Sequence, residues 1–492
     1  MSSSDAQTGI SGLDNVLSGG LERARTFLLE GSPGTGKTTI AMQFLLEGSN
    51  AGERCLYVTL SETEHELRAS AASHGWDLAG IDIYELIPPE NLLDEHQQQS
   101  LLYSSDLELG ETTKRIFEVF GRVQPDRVVL DSLSEIRLLA QSSLRYRRQI
   151  LALKHYFAKS NATVLMLDDL TTDVNDKTVH SVAHGVVRLE ELSPEYGAER
   201  RRVRVVKYRG RRFRGGYHDS TIETGGVRVF PRLISAEHKT SFDRDLVTTD
   251  LPELNALLGG GIERGSSVLV LGPAGTGKSS IALTFIRTAI ERGERAAMFV
   301  FDEEVGLLIK RARGIGVDLQ AMIDSGALHL EQVDAAELSP GEFSARVRTC
   351  VEAWGAQTVV IDSLNGYQAA MPGEQALILH LHEILQYLNR QGATTFLTVA
   401  QHGLVGDMKT PVDVTYLADA VILLRYFEAI GRVRRAISVV KKRTGPHENT
   451  IREYRIADNG ITLGDPLTQF QGVLRGVPML HGDVELLDGE DA

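Results

Sequence analysis

The sequence predicts an α/β chain of two tandem domains, each a mainly parallel sheet flanked by helices. Two observations carry this. Short apolar runs alternate with stretches whose apolar residues recur at helical spacing, and the whole pattern occurs twice. At a constant offset of 241 residues, Ser18-Gly-Gly-Leu21 aligns with Gly259-Gly-Gly-Ile262 and Gly52-Glu-Arg54 with Gly293-Glu-Arg295. Gly75-Trp-Asp-Leu78 aligns with Gly316-Val-Asp-Leu319 at the same offset. A unit this long is a duplicated domain, because solenoid repeats run to about 20–50 residues. The 492 residues also suffice for two such domains. The expected division is residues 1–240, residues 241–478 and a short acidic tail, 479–492.

Each unit opens on a strand-like run, Thr26-Phe-Leu-Leu or Ser267-Val-Leu-Val-Leu. A match to G-x-x-x-x-G-K-[ST] follows: Gly31-Ser-Pro-Gly-Thr-Gly36-Lys37-Thr38 and Gly272-Pro-Ala-Gly-Thr-Gly277-Lys278-Ser279. Such a loop turns backbone N–H groups inward around a β-phosphate. Gly34, Thr35 and Gly36, with Gly275, Thr276 and Gly277, are the residues expected to do so. Lys37 and Lys278 supply a charge for the β- and γ-phosphates, and the Thr38 and Ser279 hydroxyls are placed to ligate Mg²⁺. Thr39 and Ser280 come next in the helix, whose N-terminus favours the anion. ATP and Mg²⁺ are therefore the expected cofactors.

The next elements alternate. Amphipathic stretches start at Thr38 and Ser279, followed by the strands Cys55-Leu-Tyr-Val-Thr-Leu and Ala296-Ala-Met-Phe-Val-Phe. After a further helix come Arg127-Val-Val-Leu-Asp131 and Thr358-Val-Val-Ile-Asp362, then Thr163-Val-Leu-Met-Leu and Thr394-Thr-Phe-Leu-Thr-Val. Continuous apolar strands between helices mean a sheet covered on both faces. Ligands then lie at the carboxyl ends of its strands. Four hydrophobic residues ending in an acid form the Walker B pattern, so Asp131 and Asp362 are expected to hold Mg²⁺ through water.

Each half ends on a basic strand. Simple alternation puts Val203, Val205, Lys207 and Arg209 on one face, and Ile437, Val439, Lys441 and Arg443 on one face of the counterpart. The sharper reading is that each Lys-x-Arg reaches a phosphate on a neighbouring subunit. The plainer reading is a solvated basic strand. A nucleic-acid patch over residues 200–214 is a third.

The net charge of −14 makes the chain a poor bulk binder of nucleic acid, which is not expected as a partner. Cys55 and Cys350 are the only cysteines and lie in apolar segments, so both read as buried packing residues. The N-terminal residues carry no basic n-region or apolar h-region, and no run of 18 apolar residues occurs. A cytoplasmic protein with no membrane partner is expected.

With these residues in hand, the chain resembles the circadian-clock KaiC family of RecA-like P-loop ATPases over residues 8–478. The likeness rests on the doubled core, Leu60-Ser-Glu-Thr and Phe301-Asp-Glu-Glu, Val129-Leu-Asp-Ser and Val360-Ile-Asp-Ser, Asp419-Ala-Val-Ile-Leu-Leu-Arg-Tyr, and Ile451-Arg-Glu-Tyr. It implies a homohexamer of two stacked rings with ATP between neighbouring subunits. The first half would be an ATPase, and the second would phosphorylate its own Ser/Thr residues and remove those phosphates. Partners would be clock or signalling proteins, KaiB-like proteins or histidine kinases.

The departures from the family matter. Two adjacent glutamates follow the second strand in that family, the first a general base. Here the first-half pair is Ser61-Glu62, so Glu62 must serve or hydrolysis is slow. The second-half pair is Asp302-Glu303, with Glu304 a third acid suited to a helix's first turn. The family's adjacent Ser-Thr phosphoacceptors become Thr415-Tyr416, and Thr410 is a second acceptor by resemblance. Only 14 residues follow Pro478, and they are acidic, which argues against recruiting an activator through a long tail.

The preferred reading is an ATP-binding homohexameric ATPase and Ser/Thr autokinase in signalling or timing. One alternative is a RecA-type DNA-acting ATPase, although residues 403–418 hold one lysine and no arginine. The other is a nucleotide-gated interaction hub with little turnover, for which Ser61 is the best support.

Overall fold

The computed structural model describes residues 5–86, 101–170, 178–194, 197–369, 371, 374–401, 414–458, 460–475 and 479–480. The chain divides into two compact units, Met1–Arg232 and Leu233–Ala492.

The first unit is built on nine strands: β1 Thr26–Gly31, β2 Cys55–Thr59, β3 Ile81–Glu85, β4 Arg127–Asp131, β5 Thr163–Asp169, β6 Gly185–Leu192, β7 Arg200–Tyr208, β8 His218–Glu223 and β9 Gly226–Phe230. They form one sheet in the order β3-β2-β4-β5-β1-β6-β7-β8-β9. The six strands from β3 to β6 in that order are parallel, and β7, β8 and β9 continue antiparallel.

The second unit repeats the plan: β10 Ser267–Gly272, β11 Arg295–Val300, β12 Leu328–Gln332, β13 Ala356–Asp362, β14 Thr394–Ala400, β15 Ala420–Ala429, β16 Arg432–Lys442, β17 Ile451–Ala457 and β18 Gly460–Pro466. Their order is β12-β11-β13-β14-β10-β15-β16-β17-β18, again six parallel strands and three antiparallel. The predicted α/β class and duplicated, mainly parallel architecture hold.

The continuous apolar runs follow from burial on both faces. Phe27 and Leu29 enter one core, beneath the helix Lys37–Asn50, while Leu28 enters the other with Ile136 and Phe157. Val268 and Val270 part from Leu269 and Leu271 in the same way. Burying a large aliphatic side chain contributes about 1.5–3 kcal/mol, so this double core holds the strand ends rigidly.

One sequence expectation is corrected. Lys207 does not share a face with Val203 and Val205, because β7 carries a bulge. Val186 pairs with Lys207 and Val187 with Val205, so Val206 is skipped. The bulge reverses the alternation, and Tyr208 joins Val203 and Val205 in the core. The counterpart β16 skips Val440 in the same place. Lys442 then follows Ile437 and Val439 onto one face, where it donates to Leu258 O, and Lys441 turns to the other. A two-residue alternation cannot reveal the extra residue.

Candidate nucleotide-binding sites

Both G-x-x-x-x-G-K-[ST] loops lie between a buried strand and a helix. Gly36 and Gly277 precede the helices Lys37–Asn50 and Lys278–Glu291 with φ of 95° and 91°. A side chain there would be strained, and a Cβ would also strike Ile222 or Ile456. Thr35 donates to Ser32 O at 2.7 Å and Thr276 to Pro273 O at 2.8 Å. These two side chains brace the loop, leaving its backbone to face a phosphate.

The lysines differ. Lys37 donates to Gly31 O at 2.8 Å and Ser32 O at 2.9 Å, and its third partner is Asp169 Oδ1 at 2.8 Å. Lys278 donates to Pro273 O at 2.8 Å, and burial lowers its pKa.

The strand-end acids adjoin the loops. Thr38 Oγ1 lies 3.4 Å from Asp131 Oδ2, which also accepts from Tyr57 OH at 2.6 Å. Burial pushes the Asp131 carboxyl above its ordinary range, with the Asp169 charge adding to the rise. Asp362 accepts from Thr398 Oγ1. Hydroxyl and carboxylate oxygens are hard donors that suit Mg²⁺, and a dication would favour the charged form of the buried Asp131. Thr38 with Asp131, and Ser279 with Asp362, are thus the residues able to hold it.

After β2 and β11 the two halves correspond at the same 241-residue offset. Thr63 caps the helix Glu64–Ser73, accepting from Glu66 N, and Glu304 caps Val305–Arg313, accepting from Gly306 N and Leu307 N at 2.8 Å. Glu304 is therefore a capping residue. Glu62 is half-buried, and burial and the neighbouring Asp131 raise its pKa. Thr59 Oγ1 donates to Glu62 O at 2.8 Å and accepts from Glu62 N at 3.0 Å, fixing its backbone. Asp302 is exposed and accepts from Ser363 Oγ. Glu303 is held by Arg311.

The Lys-x-Arg pairs lie elsewhere. Lys207 donates to the carbonyls of His180 and Ala183, and Arg209 to Ser181 O at 2.6 Å. Lys441 donates to Thr415 O at 2.8 Å and Ala418 O at 2.7 Å, and Arg443 to Tyr416 O at 2.6 Å. Register shows where this is. Lys441 pairs with Val421, which pairs with Leu269 near the start of β10. The loop begins after the other end of that strand, about 10 Å away. Thr415 is half-buried beside Lys441, and Thr410 lies outside the described residues.

Sequence reasoning missed Asp169. Its signal was faint: an acid ending a strand next to β1, in register with Gly31. Three cations of the basic run 200–214 are paired with acids in place. Arg201 pairs with Glu191 and Glu199, Arg202 with Glu190, and Arg211 with Asp5. Both cysteines are buried, and burial pushes the Cys55 thiol up to about 12.

The family model described as "ATPase: KaiC" matches residues 6–234 and 247–468, both halves of the duplication. The chain belongs to the KaiC ATPase family. It is 29% identical over 495 residues to the circadian clock protein KaiC3 of Synechocystis sp. (strain ATCC 27184 / PCC 6803 / Kazusa), covering 98% of this chain and 96% of the relative. It is 28% identical over 481 residues to the circadian clock oscillator protein KaiC of Parathermosynechococcus lividus, covering 96% of this chain and 87% of the relative. Circadian clock protein KaiC2 of the same Synechocystis strain is 27% identical over 491 residues. ATP binding and ATPase function of the KaiC type follow from this membership. No helix among the described residues is long and apolar enough to cross a membrane.

Proposed function

We propose that this KaiC-family chain assembles with ATP into a homohexameric double ring. In this reading its first domain hydrolyses ATP and its second phosphorylates its own Thr415. One observation carries the reading: in both halves the Lys-x-Arg pair sits at the opposite end of the sheet from the chain's own phosphate loop. A cation so placed is set back from its own loop, which supports a role toward a phosphate on another copy. Loop on one face and cations on another make a heterologous interface, which gives a ring when its rotation closes.

In the first domain Lys37 and the loop backbone bind the phosphates, Asp131 and Thr38 hold Mg²⁺, and Glu62 accepts a proton from the attacking water. In the second, Thr415 Oγ1 of a neighbouring copy attacks the γ-phosphorus. The new P–O bond forms as the bond to the β-phosphate oxygen breaks and ADP leaves. The hydroxyl proton passes to Asp302 or Glu303. Positioning and charge stabilisation do most of the work in such transfers. Thr410 is a second acceptor in this proposal, and clock or signalling proteins such as KaiB-like proteins or histidine kinases are its partners.

Light scattering with and without ATP and Mg²⁺ tests assembly: a monomer at micromolar concentration with ATP present sinks the ring. Mass spectrometry of the intact protein after incubation with ATP and Mg²⁺ tests the kinase. Phosphate incorporation in Thr415→Ala at the wild-type level excludes that acceptor.

A further inference from the structure

We propose that Asp169 is an internal competitor of ATP for Lys37, holding the first site's affinity below what its loop would otherwise give. The inference rests on ATP binding at the two loops and concerns what distinguishes them.

An ammonium group has three N–H donors. In Lys37 they are taken by Gly31 O, Ser32 O and Asp169 Oδ1, all at 2.8–2.9 Å, and the side chain is only 9% exposed. No donor is left for a phosphate, so nucleotide entry must break at least one contact. The contact to Asp169 is the one between two charged groups and so the strongest of the three. The pair is also shielded, since Asp169 is 29% exposed.

Asp169 is aimed by its surroundings. Its backbone N–H donates to Ser134 Oγ at 3.2 Å. The adjacent Asp168 is committed elsewhere, to Arg137 at 2.6 Å and Ser134 at 3.2 Å. The second half repeats this scaffold without the acid. Gly272 pairs with Ala400 as Gly31 pairs with Asp169. Asn365, in the place of Ser134, accepts from Ala400 N at 2.8 Å. The position in register with the first glycine of the loop is thus an alanine in the second half where it is an aspartate in the first.

The energetic consequence is one of populations. If only the unlocked form accepts a nucleotide, the apparent dissociation constant is multiplied by the reciprocal of its fraction. The displaced carboxylate then lies near the incoming phosphates and adds repulsion.

The test uses the full-length chain with Lys278→Ala, so that the first loop alone binds, and titrates a fluorescent ATP analogue with Mg²⁺. Asp169→Asn, nearly isosteric, is expected to tighten binding about three- to tenfold, the range a shielded ion pair supports. The reciprocal change Ala400→Asp, in a chain with Lys37→Ala, is expected to weaken the second site by a similar factor. A merely structural Asp169 predicts no such gain. Unchanged or weaker binding in Asp169→Asn overturns the proposal, as does an Ala400→Asp chain that binds as tightly as its parent. A Lys278→Ala parent that binds no nucleotide overturns the reading of the first loop itself, and the competitor with it.

Discussion

Both carboxylate oxygens of Glu303 accept hydrogen bonds from Arg311, from Nε at 3.0 Å and from Nη2 at 2.6 Å. The fork fixes the orientation of Glu303 and takes one lone pair on each of its oxygens. Asp302, with one hydroxyl partner, is freer to turn toward a substrate hydroxyl. Asp302→Asn is expected to slow phosphoryl transfer in the second domain by about 100-fold, and Glu303→Gln by less than about tenfold. Initial rates of label incorporation from ATP decide this, and the reverse order of effects would make Glu303 the base.

A pH profile tests the first domain. Glu62 works as a base only when ionised, and burial with the Asp131 charge raises its pKa. Hydrolysis is therefore expected to rise with pH through a range above that of an ordinary glutamate. Glu62→Gln should remove that acidic limb along with most turnover. Adding a second carboxylate with Ser61→Glu is expected to speed hydrolysis by about 10–100-fold. A limb that survives in Glu62→Gln assigns it to another group.

Acid is expected to weaken the second unit through His380. Its Nε2 lies 2.7 Å from Ser344 Oγ, its Nδ1 contacts Tyr367 OH, and burial lowers its pKa to about 4 despite the nearby Glu383. The unfolded chain takes up this proton near pH 6.5 and the folded one only near 4. Stability is complete above about pH 6.5 and falls as the pH drops toward 4, by up to about 3 kcal/mol. Urea unfolding of wild type and His380→Gln across that window measures it. Parallel pH dependences would exclude His380 as the cause.

Glu53 is expected to matter more than its place in a turn suggests. Its Oε2 accepts from Arg127 Nε at 2.5 Å, and Arg127 is only 2% exposed. Arg127 also donates to Gln7 O at 2.6 Å and Phe44 O at 2.8 Å. Glu53→Ala leaves that guanidinium buried without its counter-charge, at a cost of about 3–5 kcal/mol. A shift in the first unit's denaturation midpoint below about 1 kcal/mol would show that the carbonyls alone suffice.

The architecture and both loops were legible because their signals are local. A strand, six loop residues and a helix follow one another in the chain, and duplication supplied a second copy of each. Asp131 and Asp362 were legible for the same reason. What was not legible depends on register. Asp169 matters because β5 lies beside β1, and Glu303 because Arg311 comes round one helix face to meet it. Arg127 read as the polar start of a strand, yet it is among the largest fully buried side chains. The position of Lys207 and Lys441 was misread because the skipped Val206 and Val440 look like any other strand valine.

Those two skipped residues divide each strand between two masters. Up to Val205 and Val439 the side chains answer to hydrophobic packing; beyond them the phase belongs to the carbonyls that Lys207 and Lys441 hold. Deleting Val206 would restore plain alternation with Lys207 and Tyr208 still on their present faces, whereas drawing Val206 into the ladder would send the lysine inward and Tyr208 outward. Pulling the skipped residue of either strand into the ladder is thus a change of wiring rather than of size.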